Sequence, residues 1–136
     1  MKYLFLLFSI LFFTNLYSQE LRTDKFRVIE SGIFFKDEKP EYGDNDFIVT
    51  ITSKDFLIRK IKIFAVKEIQ YDVIKLVNSY TDKENISWGV FDCIDDDGNK
   101  VILKHGLYKT QNMGYINSLI FTDSDGGSIF YKLKNN

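Results

Sequence analysis

Asp95, Asp97 and Asn99 in "FDCIDDDGNKVILK" (residues 91–104) are spaced like the oxygen ligands of a calcium loop, and "LIFTDSDGGSIFYK" (119–132) repeats the pattern 28 positions later. In the repeat Asp123 matches Asp95, Asp125 matches Asp97, Gly126 matches Gly98 and Lys132 matches Lys104. A calcium loop of the helix-loop-helix kind also needs glycine at its sixth place and a bidentate glutamate at its twelfth. Counted from Asp95 those places hold Lys100 and Gly106, and the second copy has Gly127 where its third ligand should stand. Asp-Gly between β-forming runs is instead a strong hairpin signal, because glycine accepts the positive φ of a tight turn. The expectation is two hairpins of one design, four antiparallel strands in a row, and no metal or other cofactor.

The remaining reactive residues offer three weaker possibilities. Cys93 and His105, each the only one of its type, could form a nucleophile and base pair. A hairpin turning at Asp97 and Gly98 places His105 several residues past Cys93 along the strand, out of hydrogen-bond reach. Cys93 then reads as a buried thiol packed like a small hydrophobe, and His105 as a polar residue at a strand end. Asp92 with Asp95 or Asp96 could serve as the carboxylate pair of a glycosidase-like hydrolase, set against plain solvated turn residues. Trp88, with Tyr80 and Phe91 nearby, could line a ligand cavity or stack on sugars, but an aromatic-rich chain uses such residues chiefly to fill its core. A lone histidine excludes multi-histidine metal sites, and the sequence contains neither a nucleophile elbow nor a phosphate-cradling glycine loop. No catalytic residue is expected, and no ligand-binding residue is assigned.

The elements that would position these residues are strands. Short runs rich in isoleucine, phenylalanine, tyrosine and valine are broken by polar knots. Strands are expected over 26–36, 47–52, 56–64, 71–78, 86–95, 100–105, 115–122 and 128–134. Period two is plain where Phe47, Val49 and Ile51 alternate with Ile48, Thr50 and Thr52. In "AVKEIQYDVIKLVNSY" (65–80), Val66, Ile69, Val73 and Leu76 with Val77 fall at helical spacing, although "YDVIKLV" is β-branched and favours a strand. "KDEKPEYGDND", around the only proline, reads as a long exposed loop. The fold class is all-β, an antiparallel meander of seven to eight strands forming a small barrel (calycin-like) or a two-layer sandwich.

The first 18 residues combine Lys2, a ten-residue apolar run from Leu4 to Phe13 and a polar exit at Ser18, the plan of a secretory signal peptide. Bilayer spanning takes about 20 apolar residues, so no transmembrane segment is expected after cleavage. Residues 19–136 form one domain of 118 residues, expected in the periplasm or secreted. Lys2 leaves with the signal, so 17 cations face 19 acids, a net charge of −2. That removes the electrostatic drive for nucleic-acid binding. "IRKIKI" (58–63) alternates cations with isoleucine as one face of a strand would. A single cysteine allows no internal disulfide, so stability must come from the core.

"WGVFDCIDDDGNKVILKHG" followed by "YINSLIFTDSDGGSIFYKLK" resembles small exported all-β proteins of Bacteroidota, in which a tryptophan precedes an aspartate-glycine hairpin and the chain ends in an aromatic strand. The likeness covers residues 86–134 and extends to the "YSQE" signal exit; it implies a compartment and a fold, but no functional residue. In such a host the "NIS" acceptor match at Asn85 carries no glycosylation meaning. Lipocalins also have eight strands, but their glycine-x-tryptophan near the first strand is missing here. The functional expectation is a binding or interaction module for a small apolar ligand, a glycan or an envelope protein. The alternatives are the carboxylate hydrolase and an envelope structural protein without a ligand.

Overall fold

Apolar residues alternate with polar ones along most of the chain, and the computed structural model places these runs in nine strands: β1 (Arg22–Phe35), β2 (Glu41–Tyr42), β3 (Ile48–Lys54), β4 (Leu57–Phe64), β5 (Glu68–Thr81), β6 (Ser87–Ile94), β7 (Lys100–Thr110), β8 (Gly114–Thr122) and β9 (Gly127–Asn135). The structure describes residues 21–43, 46–112 and 114–135; the expected signal segment, 1–18, lies outside them. Neighbouring strands pair antiparallel in chain order from β3 to β9. β1 pairs with β3 on one side and with β9, from Phe26 to Phe35, on the other. Eight strands thereby close into a barrel of the size that side chains alone can fill. The two-residue β2, within the stretch expected to be a loop, pairs with Gly32 and Ile33 outside the closed wall.

Alternation decides what lies inside. Val49 and Ile51, Ile61 and Ile63, Val101 and Leu103, Leu119 and Phe121, and Tyr131 and Leu133 are all buried. Lys60, Lys62, Lys104 and Lys132 occupy the opposite face, and a bulge at Arg59, between the pairs Thr52–Lys60 and Ser53–Ile58, is what brings the consecutive Arg59 and Lys60 of "IRKIKI" to the same side. One end of the barrel is closed by aromatic rings. Tyr71 stacks on Phe121 with centroids 4.0 Å apart, and Tyr131 meets both Phe121 (6.1 Å) and Phe47 (5.8 Å) edge-on. Burial pushes the Tyr131 hydroxyl up to about 12 and raises that of Tyr71 further, so both rings stay neutral across the physiological range.

Both aspartate-glycine knots are turns. Asp95 N–H donates to Asn99 O and Gly98 N–H to Asp95 O, and Asp123 repeats this with Gly127 and Gly126. Gly98 and Gly126 sit at φ 81° and 85°, giving three-residue loops whose last member is left-handed. The Asp95 carboxylate accepts the N–H groups of Asp97 and Asn99 (3.0 and 2.8 Å), and that of Asp123 accepts those of Asp125 and Gly127 (3.0 Å each). A third copy was hidden. Asp82 accepts from Glu84 and Ile86, with Asn85 in the left-handed place at φ 62°. The "NIS" asparagine is thus a turn residue.

Three expectations need correction. Phe56 does not start a strand: Asp55 and Phe56 both take positive φ (55° and 64°) between the paired Lys54 and Leu57, so they form the turn itself. Trp88 does not fill the core. It lies outside the barrel over Gly106, where a Cβ would come within 2.8 Å of its ring, and its indole donates to Asp82 Oδ2 at 2.8 Å. That bond, with the Ile86 and Glu84 amides, holds the Asp82 carboxyl below its ordinary range. Phe91 is in the core as expected, whereas Tyr80 is exposed. Third, β7 continues past His105 to Thr110, so His105 is a mid-strand residue.

Candidate functional site

At the end of the barrel opposite the aromatic plug, the alternation that supplies the core delivers polar side chains. On β7, Val101 and Leu103 are followed on the same face by His105 and Leu107. On β8, Phe121 and Leu119 are preceded by Asn117 and Tyr115. Arg22 and Asp24 continue the line of Phe26 on β1, and Asn135 that of Leu133 on β9. Arg22, Asp24, Lys25, Phe26, Leu107, Tyr115, Asn117 and Asn135 line a concavity of about 550 Å³.

His105 forms a bond with Asn117 below this mouth, Nε2 to Oδ1 at 2.7 Å. With the amide oxygen accepting, the imidazole carries its proton on Nε2. Burial lowers the His105 pKa from its ordinary 6.5, outweighing the Asn117 bond that raises it. At the rim Arg22 Nε meets Asp24 Oδ1 at 3.1 Å, and Lys109 Nζ stands 5.9 Å from the Tyr115 ring centre. The mouth therefore offers charged groups, planar amides, a phenol and the Leu107 side chain in one place.

The His105 environment carries a prediction. The unfolded chain binds a proton at about pH 6.5, whereas the folded one resists it to a lower pH. Between those two values the unfolded state holds more protons, so stability rises with pH. Stability is expected to fall as the pH drops below about 6.5, while carboxylates are still ionised. Urea unfolding midpoints between about pH 8 and pH 5 should show the slope, and His105→Gln should flatten it. A wild-type midpoint that is flat across this window would contradict the account.

The other reactive residues are dispersed. Cys93 pairs with Val101 and His105 with Gly89, four residues apart along β6, or roughly 13 Å at the rise of a strand. The Cys93 thiol is buried and pushed up to about 12, chiefly by that burial, which makes it inert at neutral pH. Asp92 faces outward beside Lys75 (3.8 Å) with 47% of its side chain exposed. Asp95 holds its own turn, and Asp96 accepts the Gln70 N–H at 3.0 Å. These acids have separate structural partners. Among the described residues no group of three or more His, Cys, Asp or Glu side chains is arranged to hold a metal, and no helix is long and apolar enough to cross a membrane.

Two further concavities lie on the outside. One, of about 540 Å³, runs past Ile74, Ile94 and Ile102 beside the Asp123 turn. The other, of about 420 Å³, is floored by Thr50 and Thr52 and rimmed by Arg59, Lys60 and Lys62. The sequence reading missed the mouth because its members are distributed over four strands. The only available signal was a polar residue at a core position of an alternating run, as in Asn117 of "NSLIF". Compared with known protein families, curated proteins and solved structures, the chain shows no significant match to any of them.

Proposed function

We propose that this chain is an exported binding module that holds a small hydroxylated ligand, such as a glycan unit, in the mouth of its barrel. The observation that carries this reading is the composition of the mouth. Asn117, Asn135, Asp24 and Arg22 present planar donors and acceptors around Tyr115 and Leu107. Barrel mouths are common ligand sites, and an amphipathic phenol beside planar polar groups suits a ring with apolar faces and hydroxyl edges. Strands of a closed barrel hold such groups with little freedom to collapse, which lowers the ordering cost of binding. Export, with removal of residues 1–18, belongs to the same reading and rests on the N-terminal sequence.

Titration of isotope-labelled protein with a panel of mono- and oligosaccharides, followed by amide NMR shifts, tests it. Saturable shifts are expected at Leu107, Tyr115 and Asn117. Tyr115→Ala should weaken the binding about tenfold, the equivalent of roughly 1.4 kcal/mol. No saturable shift with any sugar, or shifts confined to the opposite end of the barrel, would refute the proposal.

A further inference from the structure

The alternation that sends Arg22 and Asp24 to the mouth sends Thr23 the other way, onto the outside of the barrel. There Thr23 pairs with Thr52 and Thr52 with Lys60, and the next row runs from Lys25 through Thr50 to Lys62. Side chains paired in this way stand about 5 Å apart at Cβ, so hydroxyls lie beside cations. The bulge at Arg59 adds a further cation to the side that Lys60 already occupies, where an unbroken strand would have turned it inward. Thr23, Thr50, Thr52, Arg59, Lys60 and Lys62 border the outer concavity of about 420 Å³.

The charge of this groove is not neutralised from within. Among the described residues Arg59 and Lys60 meet no carboxylate within ion-pair distance, and Lys62 meets Glu68 only at 3.6 Å. Asp72, which pairs with Lys60 across β4 and β5, instead accepts the Gln70 side-chain amide at 3.1 Å. Thr23 and Thr52 share one hydrogen bond of 2.9 Å in which either can donate, so one of their two hydroxyl protons stays free. In a chain that is slightly acidic as a whole, unpaired cations gathered in one concavity are a local feature.

We propose that this groove binds a tetrahedral oxyanion ester, sulfate or phosphate, carried on a glycan. The occupant is argued from charge and from position. Arg59, Lys60 and Lys62, with threonine hydroxyls beside them, offer more donors than the two oxygens of a carboxylate accept, whereas a sulfate or phosphate ester presents three terminal oxygens. The Arg59 fork can take two of these at once. The groove also adjoins the mouth, because Lys25 stands in its second row and borders the mouth as well. One chain of sugars can therefore occupy both. The choice of a glycan as carrier rests on the reading of the mouth given above; the anion site itself does not.

Titration of the purified protein with short dextran oligosaccharides, unmodified, sulfated and phosphorylated, is the test. The modified chains are expected to bind at least about tenfold more tightly than the unmodified ones, with amide NMR shifts at Thr50, Thr52 and Arg59. That advantage should shrink as salt rises from about 50 mM to about 500 mM. Arg59→Gln with Lys60→Gln should remove it and leave the unmodified sugar bound as before, while the charge-keeping Arg59→Lys with Lys60→Arg should retain most of it. Circular dichroism of both double variants should match the wild type, because these side chains lie outside the core. Lys83→Gln, at an exposed cation in the Asp82 turn, is the control. Equal affinity for modified and unmodified sugars, or an equal loss on Lys83→Gln, would overturn the proposal. So would binding to phosphatidylglycerol vesicles that depends on Arg59 and Lys60 while the anionic sugars do not bind. Shifts in the groove with none at Leu107 or Tyr115 would support the anion site and refute the mouth; shifts at the mouth with no effect of the ester would do the reverse.

Discussion

Replacing Phe121 with alanine is expected to cost about 3–5 kcal/mol, a large part of the roughly 5–15 kcal/mol that holds a domain folded. Phe121 is only 2% exposed and touches two other rings of the plug, stacked on Tyr71 and edge-on to Tyr131. Its removal loses apolar burial and both ring contacts, and leaves a cavity that the surrounding strands cannot close. Those strands are hydrogen-bonded on both sides in a barrel, so the backbone cannot shift inward without breaking the ladders of β7 and β9. Denaturant titration should show a lower midpoint with an unchanged slope. Phe56→Ala is the control. Phe56 is fully exposed at a turn, and its loss should stay within about 0.5 kcal/mol. If the two substitutions cost the same, the plug does not hold this end of the barrel together.

The strand rhythm was legible because most strands keep one face buried, and period two then appears directly in the letters. It failed where the backbone departs from plain pairing. In β5 the inward-facing positions run Ile69, Tyr71, Val73 and then, after each bulge, Leu76 and Ser79, although the last two are exposed. Each extra residue turns a step of two into a step of three, which is why this strand imitates helical spacing. The continuation of β7 was hidden by Gly106, which reads as a breaker. It is tolerated mid-strand because the Trp88 ring occupies the space that a side chain would have taken. That contact lets β7 run on past His105, which then lies mid-strand below the mouth, and it takes Trp88 out of the core. The Asp82 turn escaped notice because asparagine, not glycine, fills its left-handed place. The β1–β9 closure and the mouth it creates are long-range facts, set by which strands meet and not by any local pattern.

Valine at Gly98 or Gly126 is expected to cost roughly 1–3 kcal/mol each, and the pair should cost about the sum. The cost is conformational. At φ 81° and 85° both glycines lie where a β-branched residue is strained, yet a Cβ at either position would meet nothing within 4 Å. Loss of stability therefore cannot come from a clash, and alanine should recover part of it. The two turns lie side by side at one end of the barrel, joining β6 to β7 and β8 to β9 with Ile102 paired to Thr122 between them, but each glycine's hydrogen bond closes within its own loop, so the strain at one does not relieve or worsen the other and near-additivity is expected. Asp97→Asn should change little, since only the Asp97 N–H is used in the turn and asparagine serves a turn about as well as aspartate. Asp95→Ala should cost more, because two backbone N–H groups lose their acceptor. Calcium provides the opposing test. A ligand raises the melting temperature only by binding the folded state, and these carboxylates already bind their own loops. Melting curves with and without calcium should superimpose. A calcium-dependent rise abolished by Asp97→Asn would make the loop a metal site and the turn geometry its apo form.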